Sequence, residues 1–193
     1  MEGMEKIRTA VSRFSALDDE EWERFAALFE TRHLEKGEFL IRGGQVEDHI
    51  YFLATGSTRS YFLQDGKEIT VDFHFEGEFV TAYFSLITRE PTATWIILLQ
   101  DSEVIAISYS ALQALYRVSA SGERVGRLMA EYQYVRRFRK EMEMLAFSAE
   151  VRYRRLLERS PEIVQQVSVK HLSSYLGVQP ESLSRIRKAF GRN

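Results

Sequence analysis

The feature that most constrains the fold is a run of short strand-like segments between Leu34 and Ser108, separated by turns that contain glycine. Their spacing of roughly 8 to 12 residues is typical of β sandwiches and β rolls. The clearest hairpin turns at Asp65-Gly66, and apolar and polar residues alternate in the strand that follows. We therefore expect an antiparallel β domain in which one face of this strand is buried. The apolar residues of the strand are Ile69, Val71, Phe73 and Phe75.

Helical periodicity flanks this β segment on both sides. An acidic helix is expected from Asp18 to Thr31, and a longer helix is predicted from Ser121 to Phe147. The longer helix has an apolar stripe at 3-4 spacing, interrupted by Arg139. Two explanations of the stripe stay open: packing on its own domain, and pairing with the same helix of a second subunit across a twofold axis. The stripe consists of Val125, Leu128, Tyr132, Val135 and Met142.

The last part of the chain predicts two short helices joined by a tight turn. A basic helix from Val151 to Arg159 ends at Ser160-Pro161, because proline disfavours helix continuation. A short helix from Val169 to Leu176 then stops at Gly177, a residue suited to a left-handed helix end. Glu181 to Phe190 forms the second helix, with a proline just before it. This arrangement is a helix-turn-helix, whose second helix can enter the DNA major groove.

The exposed face of the second helix carries the side chains that read DNA. A carboxylate can accept from cytosine N4, and a guanidinium can make a bidentate contact to guanine. Hydroxyls and lysine reach phosphates or base edges. Arg187 and Arg192 lie near the edges of this face. The alternative is an ordinary helical hairpin with a solvated polar face. The candidate DNA-contacting residues are Gln179, Glu181, Ser182, Ser184, Arg185 and Lys188.

Charge is distributed unevenly along the chain. Residues 1–123 hold 11 Lys and Arg against 21 Asp and Glu, whereas residues 124–193 hold 15 against 7. The first part is therefore acidic, with a balance of −10, and the second is basic, with +8. A basic C-terminal part suits a polyanionic partner such as double-stranded DNA. The other interpretation is a solvated helical face with an accidental excess of basic residues.

Composition narrows the function classes. The chain has no cysteine, which excludes disulfides and thiolate metal sites, and its four histidines are scattered. We predict no metal, no cofactor and no catalytic residue, because no nucleophile elbow, phosphate-binding glycine loop or zinc-protease helix is found. No apolar stretch is long enough to span a membrane, and the first residues do not resemble a secretory signal, so a cytoplasmic location is expected.

Three function classes remain open. They are a DNA-binding regulator, a small-molecule-sensing regulatory module that acts through protein-protein contacts, and a hydrolase or transferase. Arg185, Lys188 and the basic C-terminal part favour the first class, and nothing favours an enzyme.

The chain resembles the CRP/FNR family of transcription regulators. In the N-terminal part the resemblance lies in Glu35 to Ile41, in Ile50 to Leu53 with Gly56, and in Gly77 to Val80. In the C-terminal part it lies in Leu172 to Val178 and in Glu181 to Ile186, which are the more specific segments.

The resemblance implies an α+β fold in three parts. Residues 1–120 would form a sensor β roll of the cyclic-nucleotide-binding-like jelly-roll type, residues 121–147 a dimerisation helix, and residues 148–193 a helix-turn-helix DNA-binding domain. It further implies a homodimer on a near-palindromic operator, with RNA polymerase as another candidate partner. The stretch from Glu162 to Ser168 leaves little room for the β-hairpin wing of many members.

The effector site departs from the family. Members that bind cyclic AMP have a Gly-Glu pair for the ribose and an Arg-Ser pair for the phosphate, where this chain has Thr81-Ala82 and Thr92-Ala93. Without the guanidinium a buried phosphate charge would lack its partner, so cyclic AMP is not the expected ligand. The alternatives are a more apolar pocket for an unknown effector and a β core without a ligand. The candidate pocket residues are Phe73, Phe79, Tyr83, Phe84, Thr92 and Trp95.

Overall fold

The computed structural model describes residues 2–190. Two short helices come first, α1 (Glu2–Ser12) and α2 (Asp19–Ala26). A capping box formed by Asp18 and Glu21 begins α2. The expected helix up to Thr31 is wrong in its last turn, because the chain is already extended there as strand β1 (Phe29–Leu34), which pairs along its whole length with the strand that ends at Ser108.

Eight strands form two four-stranded antiparallel sheets, in the orders β1-β8-β3-β6 and β2-β7-β4-β5. The predicted hairpin at Asp65-Gly66 is confirmed, since both turn residues have positive φ, 50° and 74°, as a two-residue type I′ turn requires. The strands after β1 are β2 (Phe39–Ile41), β3 (His49–Leu53), β4 (Ser57–Gln64), β5 (Lys67–Phe75), β6 (Phe79–Val80), β7 (Thr94–Leu98) and β8 (Ser102–Ser108).

One detail of the hairpin differs from the sequence expectation. The β4–β5 register shifts, with Tyr61 opposite Thr70 but Ser60 opposite Asp72, so Val71 is an extra residue in a β bulge. A bulge reverses the inward and outward alternation of the residues beyond it. Ile69 and Phe73, predicted to share one face, therefore lie on opposite faces of the sheet.

Helices make up the rest of the described chain. The predicted long helix and helix-turn-helix are present. A short helix, Pro161–Gln166, occupies the stretch that was expected to be too short for a β-hairpin wing. The helices are α3 (Tyr83–Thr88), α4 (Tyr109–Val118), α5 (Ala120–Ala146), α6 (Ala149–Arg159), α7 (Pro161–Gln166), α8 (Val169–Tyr175) and α9 (Pro180–Phe190).

Three hydrophobic clusters hold these elements together. The first joins α1, α2, α4 and the start of α5 to the outer face of the β1-β8-β3-β6 sheet, and Val125 belongs to it. The second lies between the two sheets. The third is the core of the C-terminal helices, and it contains Phe73, a fully buried residue of β5. The β roll and the helix-turn-helix therefore share one core.

Candidate nucleic-acid interface

The two helices of the helix-turn-helix are fixed by a buried core and a glycine turn. Leu172 and Leu176 of the first helix pack with Leu183 and Ile186 of the second, and all four are buried. Gly177 has φ of +66°, a left-handed conformation that ends α8. A Cβ there would lie 2.9 Å from Met144 Cε, the movable end of a flexible side chain, so the left-handed backbone is what favours glycine here.

The face of α9 that points away from this core carries the candidate DNA-contacting residues. Gln179, Glu181, Ser184, Arg185 and Lys188 are exposed, and Ser182 is half-buried. From Glu181 to Lys188 the spacing of these residues places them on one side of the helix. The structure therefore groups five of the six around the N-terminal half of α9, the end that enters the major groove in helix-turn-helix proteins, and places Lys188 on the same face in its last turn.

Neighbouring arginines divide into two kinds. The Arg185 guanidinium donates to the Ser182 hydroxyl at 3.1 Å and stays exposed. Arg187 instead turns back and donates to the Val164 carbonyl at 3.1 Å, which ties α9 to α7. Arg187 therefore supports the domain, whereas Arg185 is free to reach a partner. Arg192 lies outside the described residues.

The predicted stripe on α5 has two parts. Val125 is buried in its own domain and Leu128 is half-buried, whereas Tyr132, Val135 and Met142 are exposed. An open groove runs along this side, lined by Leu128, Tyr132 and Val135 among others, with Arg139 at its rim. Tyr132 packs edge-on against Phe14, with ring centroids 5.8 Å apart, so the structure leaves only Val135 and Met142 of this stripe unpartnered within the described chain.

Sequence reasoning missed two residues of this exposed face. Phe138 is 50% exposed and Leu145 is 77% exposed, although both are large and apolar. With Val135 and Met142 they follow the 3-4-3 spacing of a coiled-coil seam. Arg139, taken as an interruption, lies beside this seam, so the spacing itself could have revealed them.

The candidate effector residues do not surround one cavity. Phe79 packs against Phe52, with ring centroids 5.0 Å apart, and Trp95 stacks on Tyr61. Phe73 faces the C-terminal helices, where its ring centre is 5.4 Å from that of Tyr175. The bulge in β5 explains this correction, because it turns Phe73 to the outer face of the sheet. The other three are the exposed Tyr83 and Phe84 on α3 and the buried Thr92.

The segment that would hold a cyclic phosphate is occupied by internal contacts. The buried carboxylate of Glu47 accepts a hydrogen bond from the Ala82 N–H at 3.3 Å, just before α3, and burial raises the pKa of this carboxyl. The Thr92 hydroxyl accepts from the Thr94 N–H. Arg89, the arginine nearest to these positions in sequence, forms an ion pair with Asp48 at 2.8 Å. A negative rather than a positive side chain thus lies beside Ala82.

Comparison with known proteins identifies the first part of the chain. Residues 31–119, from β1 to α4, match the cyclic nucleotide-binding domain family. This segment is therefore similar to cyclic nucleotide-binding domains. No protein of curated function matches the sequence.

Solved structures extend the likeness beyond the cyclic nucleotide-binding domain. The c-di-GMP responsive global regulator CLP of Xanthomonas campestris superposes with a TM-score of 0.67 at 22% identity, covering 91% of this chain and 92% of that one. FixK2 of Bradyrhizobium japonicum gives 0.67 at 18%, covering 85% of each chain. The catabolite activator protein of Thermus thermophilus gives 0.59 at 20%, covering 95% and 87%. The resemblance to the CRP/FNR family is thereby confirmed at the level of the fold.

Two further observations concern membranes and metal ions. Within residues 2–190, none of the helices combines the length and the apolar character needed to cross a membrane. The same part of the chain holds no group of three or more His, Asp or Glu side chains arranged for a metal ion.

Proposed function

We propose that this protein is a sequence-specific DNA-binding transcription regulator of the CRP/FNR type that binds a near-palindromic operator as a homodimer. The observation that carries the proposal is the exposed face of α9. It presents Glu181, Ser184, Arg185 and Lys188 at the open end of a helix-turn-helix, on the basic part of an otherwise acidic chain. A bidentate arginine contact to guanine contributes roughly 1 to 3 kcal/mol of base discrimination.

The exposed face of α5 supports the homodimer. Val135, Phe138, Met142 and Leu145 form an apolar seam with no cover within the described chain. Contiguous apolar surface of this kind marks interaction sites, and a seam at coiled-coil spacing suits pairing with an identical helix about a twofold axis. A twofold dimer would carry two recognition helices, which matches an operator made of two half-sites.

The effector of the proposed regulator is not cyclic AMP. Thr92 replaces the arginine that would neutralise the phosphate, and Arg89, the arginine nearest to it in sequence, is already paired with Asp48. A buried phosphate at this place would lack its guanidinium partner, which is unfavourable.

Selection of bound sequences from random duplex DNA at near-physiological salt tests the proposal. We expect a palindromic motif from the wild-type protein and loss of the motif from Arg185→Ala, with weak salt-sensitive binding retained. Arg24→Ala is the matched control, since Arg24 is an exposed arginine of α2 that pairs only with the nearby Glu20. Failure of the wild-type protein to enrich any motif, or full specificity in Arg185→Ala, would contradict the proposed function.

A further inference from the structure

We propose that the free edge of strand β5 is the surface that holds the helix-turn-helix on the β roll, and we call this surface the seat. Ser174 of α8 is the residue that positions α8 on it. This inference rests on the proposed function, because it concerns how the recognition helix α9 is oriented relative to the β roll. In the strand order β2-β7-β4-β5, β5 lies at the end of its sheet. The outer backbone groups of an edge strand need cover or solvent, since they otherwise invite pairing with another chain.

Ser174 covers the first half of this edge with a single hydroxyl. Its Oγ accepts from the Thr70 N–H at 2.9 Å and donates to the Glu68 carbonyl at 3.2 Å. The two backbone groups belong to residues two apart on the strand, so both point to the same side of it. The α8 side chain thus takes the place that an adjacent strand would fill.

The long helix α5 covers the second half of the edge. Beyond the bulge at Val71 the outward-pointing backbone groups change from the even-numbered to the odd-numbered residues. Lys140 Nζ donates to the Val71 carbonyl, and Arg136 donates to the Phe73 carbonyl at 3.3 Å. The Lys140 ammonium also lies 3.5 Å from the ring centre of Tyr175 on α8. The two helices are therefore held on one edge and against each other.

Side chains extend the seat from the edge to the face of the sheet. Phe73 is completely buried among the C-terminal helices. Arg59 of β4, only 4% exposed, bridges the two parts, with its guanidinium 2.5 Å from a Glu68 carboxylate oxygen and 2.7 Å from His171 Nδ1 on α8. Because a guanidinium can only donate, Nδ1 of His171 is the acceptor here.

The seat leaves the recognition face open. All of these contacts involve α8 and α5, whereas Gln179, Glu181, Arg185 and Lys188 on the turn and α9 remain exposed. Since α8 and α9 share a buried core, fixing α8 on β5 also fixes the direction of α9. The seated arrangement is therefore the one that binds the operator.

A reversible cross-link tests this assignment directly. The chain has no cysteine, so Thr70→Cys/Ser174→Cys introduces the only pair, at two residues that approach each other where the Thr70 backbone N–H donates to the Ser174 hydroxyl at 2.9 Å. The full-length variant is oxidised or reduced and titrated with the operator selected by the wild-type protein. We expect the disulfide to form and the oxidised variant, in which α8 is held on β5, to bind the operator with a Kd within about threefold of the wild-type value.

Each other outcome has a separate meaning. If neither a disulfide nor a short thiol cross-linker joins the two cysteines, α8 does not rest on β5 in solution and the seat is wrong. If oxidation weakens operator binding by about tenfold or more and reduction restores it, the seated arrangement is not the binding one, and the inference is overturned. If wild-type protein selects no operator, the proposed function fails before the seat is in question.

A single substitution separates positioning from simple stability. Ser174→Ala is expected to weaken binding to the two-half-site operator by about tenfold, while binding to a duplex with one half-site changes by less than about twofold. Only the full operator requires both recognition helices at a fixed distance. Ser174→Thr keeps the hydroxyl and should restore binding, and Ser110→Ala on the exposed start of α4 is the control. Equal loss on both duplexes would show a merely structural role and contradict positioning.

Discussion

Replacing Phe73 by alanine should destabilise the whole chain, although Phe73 belongs to the β roll and its contacts belong to the C-terminal helices. The side chain is fully buried in the cluster that contains Tyr153, Leu172 and Leu183. Truncation of a buried phenylalanine to alanine costs about 3 to 5 kcal/mol, because apolar contacts are lost and a cavity is left. For a chain of this size each kcal/mol lowers Tm by about 2 to 4 °C, so a fall of roughly 6 to 20 °C is expected.

Two optical probes can follow this loss in different parts of the molecule. Both tryptophans, Trp22 and Trp95, lie in α2 and β7, so their fluorescence reports the N-terminal part. Circular dichroism at helical wavelengths reports mainly α5 to α9. In urea at fixed protein concentration, the two probes should give coincident transitions, and Phe73→Ala should move both midpoints together.

The control is Phe84→Ala, since Phe84 is 67% exposed on α3 and its truncation should change stability by no more than about 0.5 kcal/mol. A loss below about 1 kcal/mol for Phe73→Ala would refute the shared core. So would a shift of the helical signal with an unchanged tryptophan transition, because the two parts would then unfold independently.

Three further predictions follow from the α5 face, the β5 edge and the effector segment. Phe138→Glu should halve the mass seen by light scattering and abolish operator binding, whereas Val118→Glu, at an even more exposed apolar site, should do neither. Burial lowers the pKa of Lys140 to about 8, so the folded protein releases this proton at a lower pH than the unfolded chain does. Between pH 8 and 10 the free energy of unfolding of the wild-type protein should therefore rise relative to that of Lys140→Met. Parallel pH profiles for the two proteins would contradict this. Cyclic AMP should leave Tm unchanged, and a concentration-dependent rise would show that Thr92 does not prevent binding.

Much of the fold was predictable because it depends on local chemistry. Asp65-Gly66 can form the tight hairpin turn because both residues tolerate positive φ, and Gly177 ends α8 for the same reason. The exposed polar face of α9 followed from helical spacing around its buried residues Leu183 and Ile186. These signals lie within a few residues of the features they specify.

The parts that escaped prediction depend on long-range pairing. Alternation in β5 suggested a single buried face, but the bulge at Val71 depends on the register with β4 and cannot be seen in the sequence of β5 alone. That one residue turns Phe73 away from the interior of the roll and into the helical core. Ser174, 104 positions from its partner Thr70, gave no local sign of its role either.

The bulge also explains how one strand can serve both parts of the molecule. Asp72 pairs in register with Ser60 and lies on the inner face, where it forms an ion pair with Arg136 of α5 at 3.2 Å. Burial opposes ionisation of Asp72, but the charges of His74, Arg136 and Lys140 outweigh it and lower its pKa. Phe73, the next residue, is on the outer face in the core of the helix-turn-helix. Because adjacent residues of β5 are anchored in the roll, in the long helix and in the C-terminal helices, a displacement of this strand moves all three together.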